Sequence, residues 1–138
     1  MTIAVGAPTA ESAARPRTRP ATRQARRAIF EDAVEILESE YSRPIRIEEV
    51  AGRVATSPRQ LQRVFAEVGG LGYRAYLRRI RLSRAADLLS HTDLTVKQVA
   101  VRVGYSDLSQ FSKAFRRAYG INPSRSAHRL ARSPQRRG

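Results

Sequence analysis

Residues 47–70, IEEVAGRVATSPRQLQRVFAEVGG, and residues 96–120, VKQVAVRVGYSDLSQFSKAFRRAYG, are two copies of one plan. Ile47, Val50, Ala51, Arg53, Val54 and Ser57 recur 49 positions later as Val96, Val99, Ala100, Arg102, Val103 and Ser106. After one residue inserted in the second turn, Leu61, Phe65 and Gly70 recur 50 positions later as Phe111, Phe115 and Gly120. Each copy reads as a short helix, a tight turn with a small residue (Ala55 or Gly104), and a second helix that begins at a serine. That is the layout of a helix-turn-helix unit. Ala51 and Ala100 fit it, because two helices that cross closely leave no room for a larger side chain. A generic helical array would run to three or more copies, and here two are joined by a helix.

Working outward, Ser57, Pro58 and Gln60 supply an N-cap, a proline at the first helical position and a capping-box partner. The helix they start turns Leu61, Val64, Phe65 and Val68 inward. Thr95 with Gln98 makes the same box ahead of Val96, and Ser106 or Asp107 caps a helix whose inner face is Phe111, Ala114, Phe115 and Ala118. Between the copies, Tyr73 to Ser90 is one longer, arginine-dense helix with Leu82, Ala85, Ala86 and Leu89 as its buried stripe. Ahead of them, Phe30, Ala33, Val34, Leu37 and Tyr41 recur at helical spacing, so order is expected to begin near Ala28, in a helix closed by Pro44. Asn122 and Pro123 start a last short helix.

The expected architecture is all-α, with two helix-turn-helix subdomains (about 46–68 and 95–119) joined by a long helix (about 73–90), inside one domain over 28–130. Residues 1–27 read as a disordered basic arm, since Pro8, Pro16 and Pro20 leave no helix of useful length, and residues 131–138 as a basic tail. At 138 residues the length suits one domain and is short for two of ordinary size, so a separate sensor domain is not expected.

A formal net charge of +14 and a pI near 11.5 point to a polyanionic partner, nucleic acid first. The charge is unevenly placed, for no acid follows Asp107. Zero cysteine excludes a disulfide framework, a cysteine-containing zinc site and a thiol nucleophile. His91 and His128 lack partners at metal-ligand spacing, so neither a cofactor nor an enzymatic activity is expected. No run is long and apolar enough to span a bilayer.

The second helix of each copy has the outer face a DNA reader needs. With the inner positions buried, Arg59, Gln62, Arg63 and Ala66 share one outer side, and Ser109, Ser112, Lys113 and Arg116 share the other. Arginine bonds guanine in a bidentate way, glutamine does so with adenine, and serine is permissive. Any one of these residues alone reads best as a solvated surface position. Their coincidence at the start of a capped helix, in both copies, reverses that balance. A joining helix of roughly 18 residues spans about 27 Å, comparable to the roughly 34 Å between successive major-groove openings on one side of a duplex.

The runs VATSPRQLQRVFAEVGG, YLRRIRLSRAADLL and VAVRVGYSDLSQFSKAFRRAYGINPS closely resemble the DNA-binding domain of AraC/XylS transcriptional regulators, over roughly Ile29 to Arg129. The resemblance implies an all-helical fold whose two reader helices enter adjacent major grooves. Carried over by motif position, it implies base contacts from Arg59, Gln62, Arg63, Leu108, Ser109, Ser112 and Lys113, with Leu108 able to meet a thymine methyl. Ser57, Gln60, Ser106 and Arg116 are the matching backbone-contact positions. Double-stranded DNA is the implied partner, bound by a monomer, with RNA polymerase a second; the implied setting is the bacterial cytoplasm, at the nucleoid. The sequence departs from the family at Arg46, where Thr or Ser often caps the first unit, and at Ser126 and Ala127, where an aromatic residue and Arg commonly follow Pro123.

The competing reading is a sequence-blind, nucleoid-type nucleic-acid binder, for which the charge and two basic tails would suffice. An enzyme of the methylphosphotriester-repair kind would need the cysteines this chain lacks.

Overall fold

The computed structural model describes residues 20–126, and among these it is all helical. The elements are α1 (Pro20–Glu40), α2 (Ile47–Arg53), α3 (Pro58–Val64), α4 (Tyr73–His91), α5 (Val96–Arg102) and α6 (Leu108–Tyr119), and residues 123–126 open a further helical turn. The expected tail, 131–138, and the first 19 residues of the expected arm lie outside the described residues.

Helix α1 starts eight residues earlier than the composition suggests. Pro20 falls on its first residue, where a missing N–H costs nothing and the fixed φ suits the helix. Ion pairs then hold the early turns: Arg26 reaches across to Glu67, and Arg27 lies 3.9 Å from Glu31, one turn along. The helix ends at Glu40, ahead of Pro44.

The helix starts follow local chemistry. Ser57 Oγ accepts the Gln60 N–H at 3.1 Å, and Pro58 opens α3. At α5 the capping box is complete: Thr95 Oγ1 accepts the Gln98 N–H at 3.1 Å, and Gln98 Oε1 accepts the Thr95 N–H at 2.8 Å. Asp107, rather than Ser106, caps α6, its Oδ1 accepting the N–H groups of Ser109 and Gln110 at 2.8 and 3.1 Å. The residue inserted in the second turn is therefore the cap itself. Arg46 offers α2 no side-chain cap.

Past Val64 the backbone widens into one π-turn, Phe65–Gly69. Gly69 is packed against α1, where a Cβ would stand 2.6 Å from Phe30 Cε1. Gly70 and Gly120, at φ 77° and 81°, then end the two reader helices in the left-handed conformation that glycine reaches without strain.

Two apolar cores result, and α4 serves both. Its first half closes Tyr73, Leu77 and Ile80 over Ala33, Leu37, Val50, Leu61 and Phe65. Its second half closes Leu82, Ala85 and Leu89 over Val99, Val103, Phe111 and Phe115. Phe65 sits edge-on to Phe30, Tyr73 and Tyr76 at 5.3, 5.4 and 5.4 Å. Such pairs add roughly 0.5–1.5 kcal/mol each beyond area burial. The expected inner face of α6 needs correction: Phe111 and Phe115 are sealed and Ala114 is half-buried, but Ala118 is exposed. The far end of α6 borders a groove, and among the described residues nothing covers it.

Candidate nucleic-acid interface

Burial of Leu61 and Val64 turns Arg59, Gln62 and Arg63 of α3 to solvent. Burial of Phe111 and Phe115 does the same for Ser109, Lys113 and Arg116 of α6 and leaves Ser112 half-buried. Leu108 is 43% exposed at the first residue of α6, an apolar side chain with no core to enter. Among the backbone candidates, Ser57 and Gln60 are exposed but linked in the cap of α3, and Ser106 is exposed without capping α6.

A cleft of about 680 Å³ is lined by residues 44–48, by Tyr73, Arg74, Leu77, Arg78 and Arg81 of α4, and by one residue of each reader helix, Gln62 and Gln110. Of the expected base readers, Gln62 alone lines it. Arg46, Arg74 and Arg78 border it as well, and none of the three is among the DNA contacts expected from the sequence. The signal was present: Arg74, Arg78 and Arg81 recur at i, i+4 and i+7, which puts them on one stripe of α4. Arg74 and Arg78 form no ion pair among the described residues, whereas Arg46 lies 3.4 Å from Glu48.

Arg81, the third of that stripe, is a joint. Its Nε donates to the Tyr41 carbonyl at 2.8 Å and an Nη2 hydrogen to the Arg43 carbonyl at 3.0 Å, which ties α4 to the end of α1. On its other side Gly104, the turn residue of the second unit, is so close that a Cβ would stand 3.0 Å from both Arg81 Nε and the Tyr41 oxygen. Burial pushes the Arg81 guanidinium below its ordinary pKa, and Tyr41 packs against both cores. Tyr73 adds a second tie, its hydroxyl donating to the Ile45 carbonyl at 3.0 Å. Burial raises that phenol to about 12, so it remains a neutral donor.

The cations of the first unit are largely engaged. Arg53 grips Glu40 with two bonds of 2.8 and 3.0 Å, and Arg43 bridges Glu40 and Glu49. These bonds, Arg53's foremost and then Arg43's, hold the Glu40 carboxyl down at about 2. In the second unit Arg102 stands where Arg53 does and Gln98 where Glu49 does, so that network has no counterpart there.

Two capped helix-turn-helix units, their reader helices flanking one basic cleft, define a double helix-turn-helix module of the DNA-binding class. A family profile for the helix-turn-helix domain matches residues 50–129. The chain is 46% identical over 81 residues to an uncharacterised HTH-type transcriptional regulator of Mycobacterium bovis, covering 59% of this chain and 23% of that protein. Its fold matches an AraC-type DNA-binding transcriptional regulator from Chromobacterium violaceum at a TM-score of 0.73 and 28% identity, over 76% of this chain and 94% of that one. It also matches the DNA-binding domain of the global transcriptional factor AdpA, solved in complex with a target DNA, at a TM-score of 0.70 and 29% identity, over 78% and 96%. The chain belongs to the AraC-type helix-turn-helix family. It spans about a quarter to a third of the length of the curated relatives it matches.

Proposed function

We propose that the protein is a sequence-specific DNA-binding transcriptional regulator that docks its two reader helices in adjacent major grooves of one duplex, as a monomer. The observation that carries this reading is the shared cleft, which takes lining residues from both reader helices, Gln62 of α3 and Gln110 of α6, and from the arginine stripe of α4. On this reading Arg74 and Arg78 meet the backbone between the grooves, while Arg59, Gln62 and Arg63 meet base edges. Leu108, Ser109, Ser112 and Lys113 read from α6, with Ser57, Gln60, Ser106 and Arg116 on phosphates. Regulation through contact with RNA polymerase belongs to the same reading.

The distribution of charge favours this over sequence-blind coating. Residues 20–70 carry eight basic and eight acidic side chains, net zero, whereas residues 73–126 carry eleven and three, net +8. A protein that bound by charge alone would gain nothing from a neutral reader unit. Discrimination is therefore assigned to α3, whose side chains are long and bidentate, and affinity and register to α4 and α6.

The test is selection of sites from random DNA, followed by titrations of variants whose fold is checked by circular dichroism. Arg63→Ala is expected to cost about 1–3 kcal/mol on the preferred site and to relax one or two base positions. Arg116→Ala should weaken all sequences alike. No enriched site, or a footprint confined to one groove, would refute the assignment.

A further inference from the structure

The two units differ most where the helix ahead of each unit meets the end of its reader. Superposing the buried stripes, Ala33, Val34 and Leu37 of α1 fall on Ala85, Ala86 and Leu89 of α4, a shift of 52 positions. That register sets Arg26 on Arg78 and Phe30 on Leu82. The shift of 50 within the readers sets Glu67 on Arg117 and Gly69 on Tyr119.

In the first unit this crevice is closed: Arg26 pairs with Glu67, and Phe30 lies on Gly69. In the second unit both ends of the ion pair are arginine. The crevice stays open there as a groove of about 690 Å³, with Ala75, Leu82 and Ala118 among its apolar lining and Arg78, Lys113 and Arg117 around them. None of these three cations forms an ion pair among the described residues. The chain has little to offer them, since no acid follows Asp107 and its one acid outside the described residues is Glu11.

We propose that this groove binds a small organic carboxylate with an apolar body. The carboxylate takes the place that Glu67 takes beside Arg26, accepting charge-assisted hydrogen bonds from Arg78 and Arg117. The body covers Ala75, Leu82 and Ala118. A volume of this order suits a drug-sized molecule, and the apolar lining disfavours a bare inorganic anion, which would leave it wet.

The experiment titrates the full chain with 4-phenylbutyrate, its uncharged amide and inorganic phosphate, followed by calorimetry and by backbone amide shifts. One-to-one binding of 4-phenylbutyrate is expected, at least about tenfold tighter than either control, with the largest shifts at Ala75, Ala118 and Arg117. Arg117→Glu supplies the carboxylate that Arg78 lacks and should weaken the probe about tenfold or more. Ala75→Phe, which fills the floor, should weaken the probe and leave phosphate unchanged. Phosphate binding as tightly as 4-phenylbutyrate, no binding at all, or shifts that map elsewhere would each overturn the proposal. The titration contains no DNA, so its outcome is independent of the base-reading assignment.

Discussion

Phe65 and Phe115 hold the same place in the two units, yet Phe65 meets the rings of Phe30, Tyr73 and Tyr76 whereas Phe115 meets only Phe111 and Tyr119. Around Phe65 the first unit is neutral overall, with Arg26, Arg43 and Arg53 bonded to Glu67, Glu49 and Glu40. Around Phe115 the second unit carries free cations and a groove where the first has an ion pair. One backbone plan, with capped readers and a buried alanine in both units, thus carries an ion-pair network in one unit and none among the described residues of the other. The difference teaches that a helix-turn-helix unit needs its stripe, turn and cap, while its charge is free to serve another purpose.

The largest effect expected from this division is in salt. If about 6 to 10 phosphates are contacted, affinity should fall roughly a thousandfold or more between about 50 and 200 mM salt. The steepness should belong to the second unit and α4: Arg78→Ala or Arg116→Ala should each flatten the slope by about one phosphate's worth. Arg53→Ala, whose guanidinium is held by Glu40, should leave it unchanged. Binding titrations across the salt range measure this, and an equal slope change for Arg53→Ala would erase the contrast.

The fold was legible where a position has only one physical solution. The stripe of Val50, Ala51 and Val54 and its copy, the caps at Ser57 and Thr95, and the αL stops at Gly70 and Gly120 could each be read from residue type and spacing. What escaped depended on neighbours distant in sequence. The π-turn arises where Gly69 lies against Phe30, and nothing in FAEVG announces that contact. Exposure of Ala118 depends on a groove that no local pattern encodes. Pro20 reads as a helix breaker until it is seen at the first position. The outer faces of α3 and α6 were readable, but the place of the α4 arginines was not, because the other residues lining their cleft come from both units.

The turn offers a sharper, smaller comparison. Ala55 and Gly104 occupy the same position, at φ 58° and φ 103°. The first value lies in the left-handed well that an alanine tolerates at some cost; the second lies outside it, and Gly104 also presses on Arg81. Gly104→Ala should therefore destabilise the fold by about 1–3 kcal/mol, and Ala55→Gly should change stability by less than about 1 kcal/mol. Denaturant unfolding of both variants decides it. Equal effects would mean that the two turns, despite their dihedrals, are under the same constraint.

The smallest expected effect concerns pH, and it separates the units by their carboxylates. Glu40 is held at about 2, against an ordinary value near 4.5, by its bonds to Arg53 and then Arg43. Glu49 is lowered as well, chiefly by Arg43. A carboxylate whose folded pKa lies below its unfolded one stabilises the fold above the unfolded value and loses that contribution as pH falls toward the folded one. The window is thus from about 4.5 down to about 2, and it belongs to the junction of α1 with α2. The second unit has no carboxylate–arginine pair among the described residues, so acid should loosen the first unit ahead of it. These side chains are partly open to solvent, so the effect is modest and shrinks as salt screens it. Amide exchange at pH 5 and pH 3 would read it residue by residue, with protection lost first in α2 and the last turn of α1. Glu40→Gln should remove most of the pH dependence there and leave that of α5 and α6 as it was. If α5 and α6 lost protection first, the ion-pair network would not be what distinguishes the two units.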